Sequence, residues 1–187
     1  MLVHAVILPV ISQHPERTPQ HVADQRAAAR QALVASARLS GAPPEGYTSD
    51  DDGVPQVNDG WHWSVSHKRH FVAAVVARAA IGIDVEEIRP RDPAAFTQIA
   101  TATEWALLPA RDDVAFSRMW TAKEAVVKAL GIGMAGFDEC RLTSVGAPGW
   151  RLGCAGAAWE VAHVSHAGHT FAVAGPGLKV QWHLPPA

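Results

Sequence analysis

Cysteine is scarce in this chain: of 187 residues only Cys140 and Cys154 carry a thiol. That is too few for a disulfide framework, and the spacing matches no metal motif. Both are expected to be buried, reduced spectators, with the cytoplasm as the simplest setting. A charge excess is lacking too. Lys and Arg number 16 against 18 Asp and Glu, a formal net charge of −2, which gives no general pull toward nucleic acid or anionic membrane. An anionic ligand must therefore be held by a local cluster. The run Val3 to Ile11 is broken by His4 and Pro9, lacks a basic lead-in and is too short for a signal peptide or membrane span. Disorder is disfavoured by 48% hydrophobic and 18% charged residues. What remains is a globular chain able to bury a sizeable core, as one domain or as two small halves sharing an interface.

The element pattern is mixed. Leu2 to Ile11 reads as a strand, and Pro19 to Leu39 as an alanine-rich helix with Val22, Arg26, Ala29, Leu33 and Ala37 along one face, ending at Gly41 and Pro43. Residues 41 to 60, with Asp50-Asp51-Asp52, read as a long irregular loop. Trp61 to Arg78 reads as two strands around a polar bend at Ser66 to His70, and Ala80 to Ile88 as another strand. Asp92-Pro93 opens a helix to about Ala100, Thr103 to Leu108 continues as helix, and Val114 to Leu130 is the longest helix of this half, stopped by Gly131. Short strands follow at 139–145, 150–154, 157–164, 170–174 and 178–184.

One segment echoes another. Val65-Ser66-His67-Lys68-Arg69-His70-Phe71-Val72-Ala73 resembles Val164-Ser165-His166-Ala167-Gly168-His169-Thr170-Phe171-Ala172, each reading as strand, His-flanked turn and apolar return strand. The repeat predicts two related α+β halves about a pseudo-twofold axis, with a cleft between them. Expected bounds are 1–80 for the N-terminal half and 81–187 for the C-terminal half, in one compact unit.

Two stretches carry ionisable groups in patterns that suggest chemistry. In Trp120-Thr121-Ala122-Lys123-Glu124-Ala125-Val126-Val127-Lys128, the residues Trp120, Glu124 and Lys128 fall four apart, on one stripe of a helix. Alone, Glu124 and Lys128 read as a surface pair worth about 0.3–0.5 kcal/mol. In Ile81-Gly82-Ile83-Asp84-Val85-Glu86, alternation puts Asp84 and Glu86 on one strand face and Ile83 and Val85 on the other. Converging carboxylates call for a raised pKa, a cationic partner or a divalent ion, with oxygen ligation favouring Mg²⁺ or Mn²⁺; the bland alternative is a strand end meeting solvent. Glu124 could add a third carboxylate, and Lys128 a phosphate contact. Ser66-His67 at a bend, followed by Lys68 and Arg69, adds groups suited to polyphosphate.

Trp63-Ser64-Val65-Ser66-His67, Ile81 to Glu86, Thr103-Glu104-Trp105 and Trp120 to Gly131 together resemble, in order and approximate spacing, the signature blocks of the monomeric, surfactin-type phosphopantetheinyl transferases. The resemblance covers about Trp61 to Gly131 closely and the flanks loosely. It implies a pseudo-twofold α+β protein binding coenzyme A and Mg²⁺ between its halves. Asp84, Glu86 and Glu124 would hold the metal, Lys128 and His67 would contact phosphates, and Ser66 would support the turn. A serine of an apo acyl or peptidyl carrier protein would attack the pantetheine-side phosphorus, releasing adenosine 3′,5′-bisphosphate, with Glu124 or Glu104 taking the serine proton. A cytoplasmic monomer is expected, with no nucleic-acid or membrane partner.

The chain departs from the family pattern where a Lys-Pro pair often precedes the Trp-rich strand: Gly53-Val54-Pro55 stands there. The N-terminal region also looks short for the class. The coenzyme's 3′-phosphate then falls to Arg26, Arg30, Lys68 or Arg69, against a plain surface reading for Arg26 and Arg30. His163, His166 and His169, like His67 and His70, read as turn and surface residues rather than zinc ligands. Trp120 is expected to brace its helix. Arg111, Arg118 and Met134 to Phe137 are candidates for a carrier-facing surface. Two alternatives stay open: a silent module that binds coenzyme A or a carrier, and a metal-dependent phosphohydrolase.

Overall fold

The computed structural model describes residues 1–14, 16, 18–147 and 149–186. Strand β1 (Leu2–Pro9) is followed by α1 (Pro19–Ser40), the hairpin β2 (His62–His67) and β3 (Phe71–Ala77), and β4 (Gly82–Glu87). Then come α2 (Pro93–Ile99), the one-turn α3 (Ala102–Trp105), α4 (Asp113–Leu130), a 3₁₀ segment Met134–Glu139, and strands β5 (Arg141–Ser144), β6 (Trp150–Cys154), β7 (Ala157–His166), β8 (His169–Gly175) and β9 (Lys179–His183). The strands form two sheets, ordered β2-β3-β1-β9 and β4-β8-β7-β6-β5.

The layers run α1, first sheet, second sheet, α4. Between the sheets lie Val3, Ala5, Ile7, Phe71, Ala73, Val75, Ile83, Val85, Phe171 and Val173. Val6, Val72, Ala74 and Val76 turn the other way, onto Ala29, Leu33 and Ala37 of α1. Because β3 is covered on both faces, Phe71–Ala77 is buried at every position, which is why it reads as an unbroken apolar run rather than an alternation. The outer face of the second sheet packs on Met119, Ala122, Ala125 and Val126 of α4.

The order strand, helix, hairpin occurs twice. β3 pairs antiparallel with β1, and β8 pairs antiparallel with β4, so β1-α1-β2-β3 corresponds to β4-α4-β7-β8. The chain is mixed α+β with two sheets, as expected, but β9 crosses back to pair in parallel with β1. A boundary after residue 80 therefore divides the chain but not the sheets.

Helix ends follow local chemistry. Thr18 and Asp112 cap α1 and α4 through their side chains, and Gly41 and Gly131 end them in left-handed conformation. Gly82 is required for a different reason: a Cβ there would strike the Ala125 carbonyl, so α4 lies directly on β4. The cysteines correct the expectation of free thiols: Cys140 and Cys154 form a disulfide, with Cα atoms 4.4 Å apart. Residues 14 apart in sequence are brought level by the antiparallel β5–β6 pair, a proximity that spacing alone does not disclose.

Candidate functional site

β4 presents Asp84 and Glu86 on one face while Ile83 and Val85, on the other, fill the space between the sheets. Asp84 and Glu86 are only 4% and 8% exposed, so the reading of a strand end meeting solvent fails. Hairpin β2–β3 docks here through its serines: Ser64 Oγ accepts from the Ile83 N–H at 3.1 Å, and Ser66 Oγ donates to Asp84 Oδ1 at 2.8 Å.

The lysines complete the arrangement. Lys128 Nζ lies 2.7 Å from Asp84 Oδ1 and donates to the Ile83 carbonyl at 3.3 Å, which replaces the surface pair with Glu124 that helix spacing alone suggests. Its partner is across the helix–strand interface, not one turn back at Glu124. Lys68 Nζ lies 2.7 Å from Glu86 Oε1, and Arg91 lies 3.6 Å from Glu86 Oε2. Asp84 Oδ2 is buried and has no partner. Glu124 is half-buried; burial, and then the Asp84 charge, push its carboxyl above the usual range. Among the described residues no three His, Cys, Asp or Glu side chains gather closely enough to form a metal cluster as they stand.

Among the described residues, cavities border this cluster. One of about 280 Å³ is lined by Glu124, Lys128, Trp63, Val65, Val54 and Met134. A second, of about 720 Å³, lies beyond Trp63 and Val65 and is bordered by Arg26, Arg30, Tyr47 and His67. A third, of about 520 Å³, is bordered by His21, Gln25, His67, Lys68, Glu86 and Arg89. His67 stands between the last two; desolvation holds its imidazole below the ordinary range despite a backbone hydrogen bond, and Lys128, Lys68 and Arg26 add to the lowering. A neutral His67 ringed by cations suits an anionic ligand. Arg26 and Arg30 thus sit on a cavity rim, whereas Arg69 pairs with Glu16 at 2.9 Å. The Gly53-Val54-Pro55 segment forms part of the wall beside Glu124.

Glu104 lies elsewhere, and its geometry speaks against the role of base. It is buried against Lys123 Nζ at 2.8 Å, and its oxygens also accept from the Thr101 N–H and hydroxyl and from the Leu142 N–H. Burial opposes its charge, but the bonds from Lys123, Thr101 and Leu142 outweigh burial and hold the carboxyl below the usual range. Thr101 and Glu104 form a capping box, a Thr-x-x-Glu signal readable in the sequence. Trp120 does brace its helix, with ring centroids 5.0 Å from Phe137 and 6.4 Å from Phe116.

The proposed carrier-facing residues separate. Met134 is exposed, Phe137 is buried, and Arg118 is half-buried over Trp150 at 5.1 Å. The histidines differ from a uniform surface set as well: His21 and His169 are buried. Sequence reasoning missed Arg91, which lies against Glu86, and His21, Gln25 and Tyr47, which line the cavities; their places follow no regular spacing. No helix among the described residues is long and apolar enough to cross a membrane.

Residues 80–174 match the family model of the 4′-phosphopantetheinyl transferase superfamily. The chain is 34% identical over 94 residues to the 4′-phosphopantetheinyl transferase psf-1 of Bacillus pumilus, covering 47% of this chain and 40% of that protein. It is 28% identical over 92 residues to the 4′-phosphopantetheinyl transferase gsp of Aneurinibacillus migulanus, covering 47% and 39%. It is 31% identical over 104 residues to enterobactin synthase component D of Salmonella typhi, covering 52% and 44%. The matched stretches thus span less than half the length of each relative.

Proposed function

The chain belongs to the 4′-phosphopantetheinyl transferase superfamily, and on that basis we propose that it transfers 4′-phosphopantetheine from coenzyme A to a serine of an apo acyl or peptidyl carrier protein. The observation that carries the proposal is the meeting of Asp84, Glu86, Glu124, Lys128, Lys68 and Ser66 at one junction of β4, α4 and the β2–β3 hairpin.

The oxygen donors fit a hard divalent ion, Mg²⁺ or Mn²⁺: Asp84 Oδ2 is a buried acceptor without a partner, Glu86 lies on the same strand, and the desolvated Glu124 lies on the facing helix. Such an ion supplies charge neutralisation and orientation to a diphosphate. The remaining work falls to side chains. The 720 Å³ cavity offers Tyr47 and Trp63 to an adenine, with Arg26, Arg30 and His67 for phosphate oxygens. The arm leading to the thiol would follow the apolar wall of Val54, Val65 and Met134 beside Glu124.

Glu124 is the base of choice. It borders the cavity along which the arm would run, and burial leaves its carboxylate poorly hydrated. It takes the serine proton as the serine oxygen bonds to the pantetheine-side phosphorus. The bond from that phosphorus to the bisphosphate leaving group breaks, and Lys128 and Lys68 stabilise the negative oxygens. Glu104, sealed by its own partners, takes no part. Mass spectrometry of several apo carriers incubated with the protein, coenzyme A and Mg²⁺ should show one added phosphopantetheine group. Bound coenzyme A with no modified carrier would leave only the silent binding module; bisphosphate released without any carrier would indicate hydrolysis.

A further inference from the structure

Resting on the coenzyme A reading, we infer that Lys68 and Lys128 are exchangeable counter-ions that couple binding of a divalent ion to binding of the diphosphate. Each lysine holds one carboxylate oxygen of β4 at 2.7 Å: Lys128 on Asp84 Oδ1 and Lys68 on Glu86 Oε1. A divalent ion ligated by the free Asp84 Oδ2 and by Glu86 lies beside both ammonium groups and repels them at short range, and at Glu86 it competes with Lys68 for the carboxylate itself.

Both lysines have somewhere to go. The Lys68 and Lys128 side chains are 40% and 30% exposed, and their main chains stay fixed. Lys68 is anchored by its N–H on the Phe71 carbonyl at 2.8 Å and by Gln25 Nε2 on its own carbonyl at 3.0 Å; Lys128 lies in the last turn of α4. On flexible four-carbon stems, Lys68 opens onto the 520 Å³ cavity and Lys128 onto the 280 Å³ one. Arg91 is held differently: its side chain is 17% exposed, and its guanidinium lies 5.0 Å from the Phe116 ring. Arg91 therefore keeps Glu86 oriented while the lysines move.

Displacing the lysines places two freed ammonium groups beside the ion, where diphosphate oxygens are held. The diphosphate gives the lysines new partners, so ion and diphosphate strengthen each other reciprocally, with coupling expected at about 5- to 150-fold. A lysine that acted only through its field would weaken the ion equally whether or not coenzyme A was bound.

Free Mn²⁺, followed by its electron paramagnetic resonance signal, should be titrated with and without coenzyme A into wild type, Lys68→Met and Arg69→Met. Arg69, paired with Glu16 on the same hairpin tip, is the charge-matched control. Exchange predicts that Lys68→Met binds Mn²⁺ more tightly without coenzyme A and loses most of the coupling, while Arg69→Met keeps it. Equal tightening with and without coenzyme A, or wild type that binds both ligands without coupling, overturns the exchange alone. Failure of wild type to bind coenzyme A at any Mn²⁺ concentration overturns the coenzyme reading and the exchange with it.

Discussion

Lys123 and Lys128 leave the same helix, and each meets a carboxylate, but the two pairs are built for different ends. Lys123 is buried with Glu104, bonds the Ile99 carbonyl at 2.7 Å, and faces a carboxylate that accepts from Thr101 and Leu142 as well. Four elements are tied at that point: α2, α3, α4 and β5. Lys128 reaches a carboxylate whose second oxygen has no partner, and it opens onto a cavity shared with Glu124. The sealed pair commits both carboxylate oxygens and two ammonium donors to the fold. The open pair keeps an acceptor and a mobile cation in reserve, the condition for binding something else.

The largest effects should separate the pairs outright. Lys123→Ala leaves the Glu104 charge buried without its ammonium and is expected to cost about 3–5 kcal/mol of stability, read from denaturant midpoints. A loss below about 1 kcal/mol, the range of exposed pairs, would show that the pair is not sealed in solution. Glu124→Gln is expected to lower carrier modification by about 10²- to 10⁴-fold with the unfolding midpoint nearly unchanged; a variant that retains full turnover removes Glu124 as the base. Lys128→Met is expected to cost less stability than Lys123→Ala, on the order of 1 kcal/mol, and to raise KM for coenzyme A. Should its stability loss equal that at Lys123, the contrast between open and sealed pairs collapses.

Much of the site was legible, and what was not shares one physical cause. Alternation assigned Asp84 and Glu86 to one face because strand period depends only on local geometry. The four-residue stripe placed Glu124 and Lys128 together on α4 for the same reason. It could not reveal that Lys128 bonds Asp84, since helix spacing reports neighbours on one helix and not what a neighbouring strand offers. The Cys140–Cys154 bond and the pairing of β9 with β1 are long-range in the same sense. Glu104 differs: the capping box with Thr101 was present in the sequence, and it marked a helix start rather than a reacting group. The echo between hairpins was readable, but the tips diverge in use. Lys68 at one tip holds Glu86, while the other turns through Ala167 and Gly168, both at positive φ, and offers no cation.

At neutral pH the smallest effect is expected at His163, whose titration in acid contrasts with that of the sealed Glu104. His163 bonds the Arg118 carbonyl at 3.1 Å and lies 4.7 Å from the Trp150 ring; burial, then the Arg118 charge, lower its pKa from 6.5 to about 3. Between those values the unfolded chain binds the proton that the folded chain refuses, so stability falls as pH drops through that window. Glu104 has its pKa lowered from 4.5, so its contribution is present above 4.5 and lost only at lower pH. His163→Gln should therefore flatten the stability profile from about pH 6.5 downward, whereas Glu104→Gln should flatten it only below about 4.5 while lowering stability at pH 7. A Glu104→Gln profile parallel to wild type below pH 4.5 would mean that the carboxyl titrates alike folded and unfolded, and the sealed pair would then owe its stability to packing rather than charge.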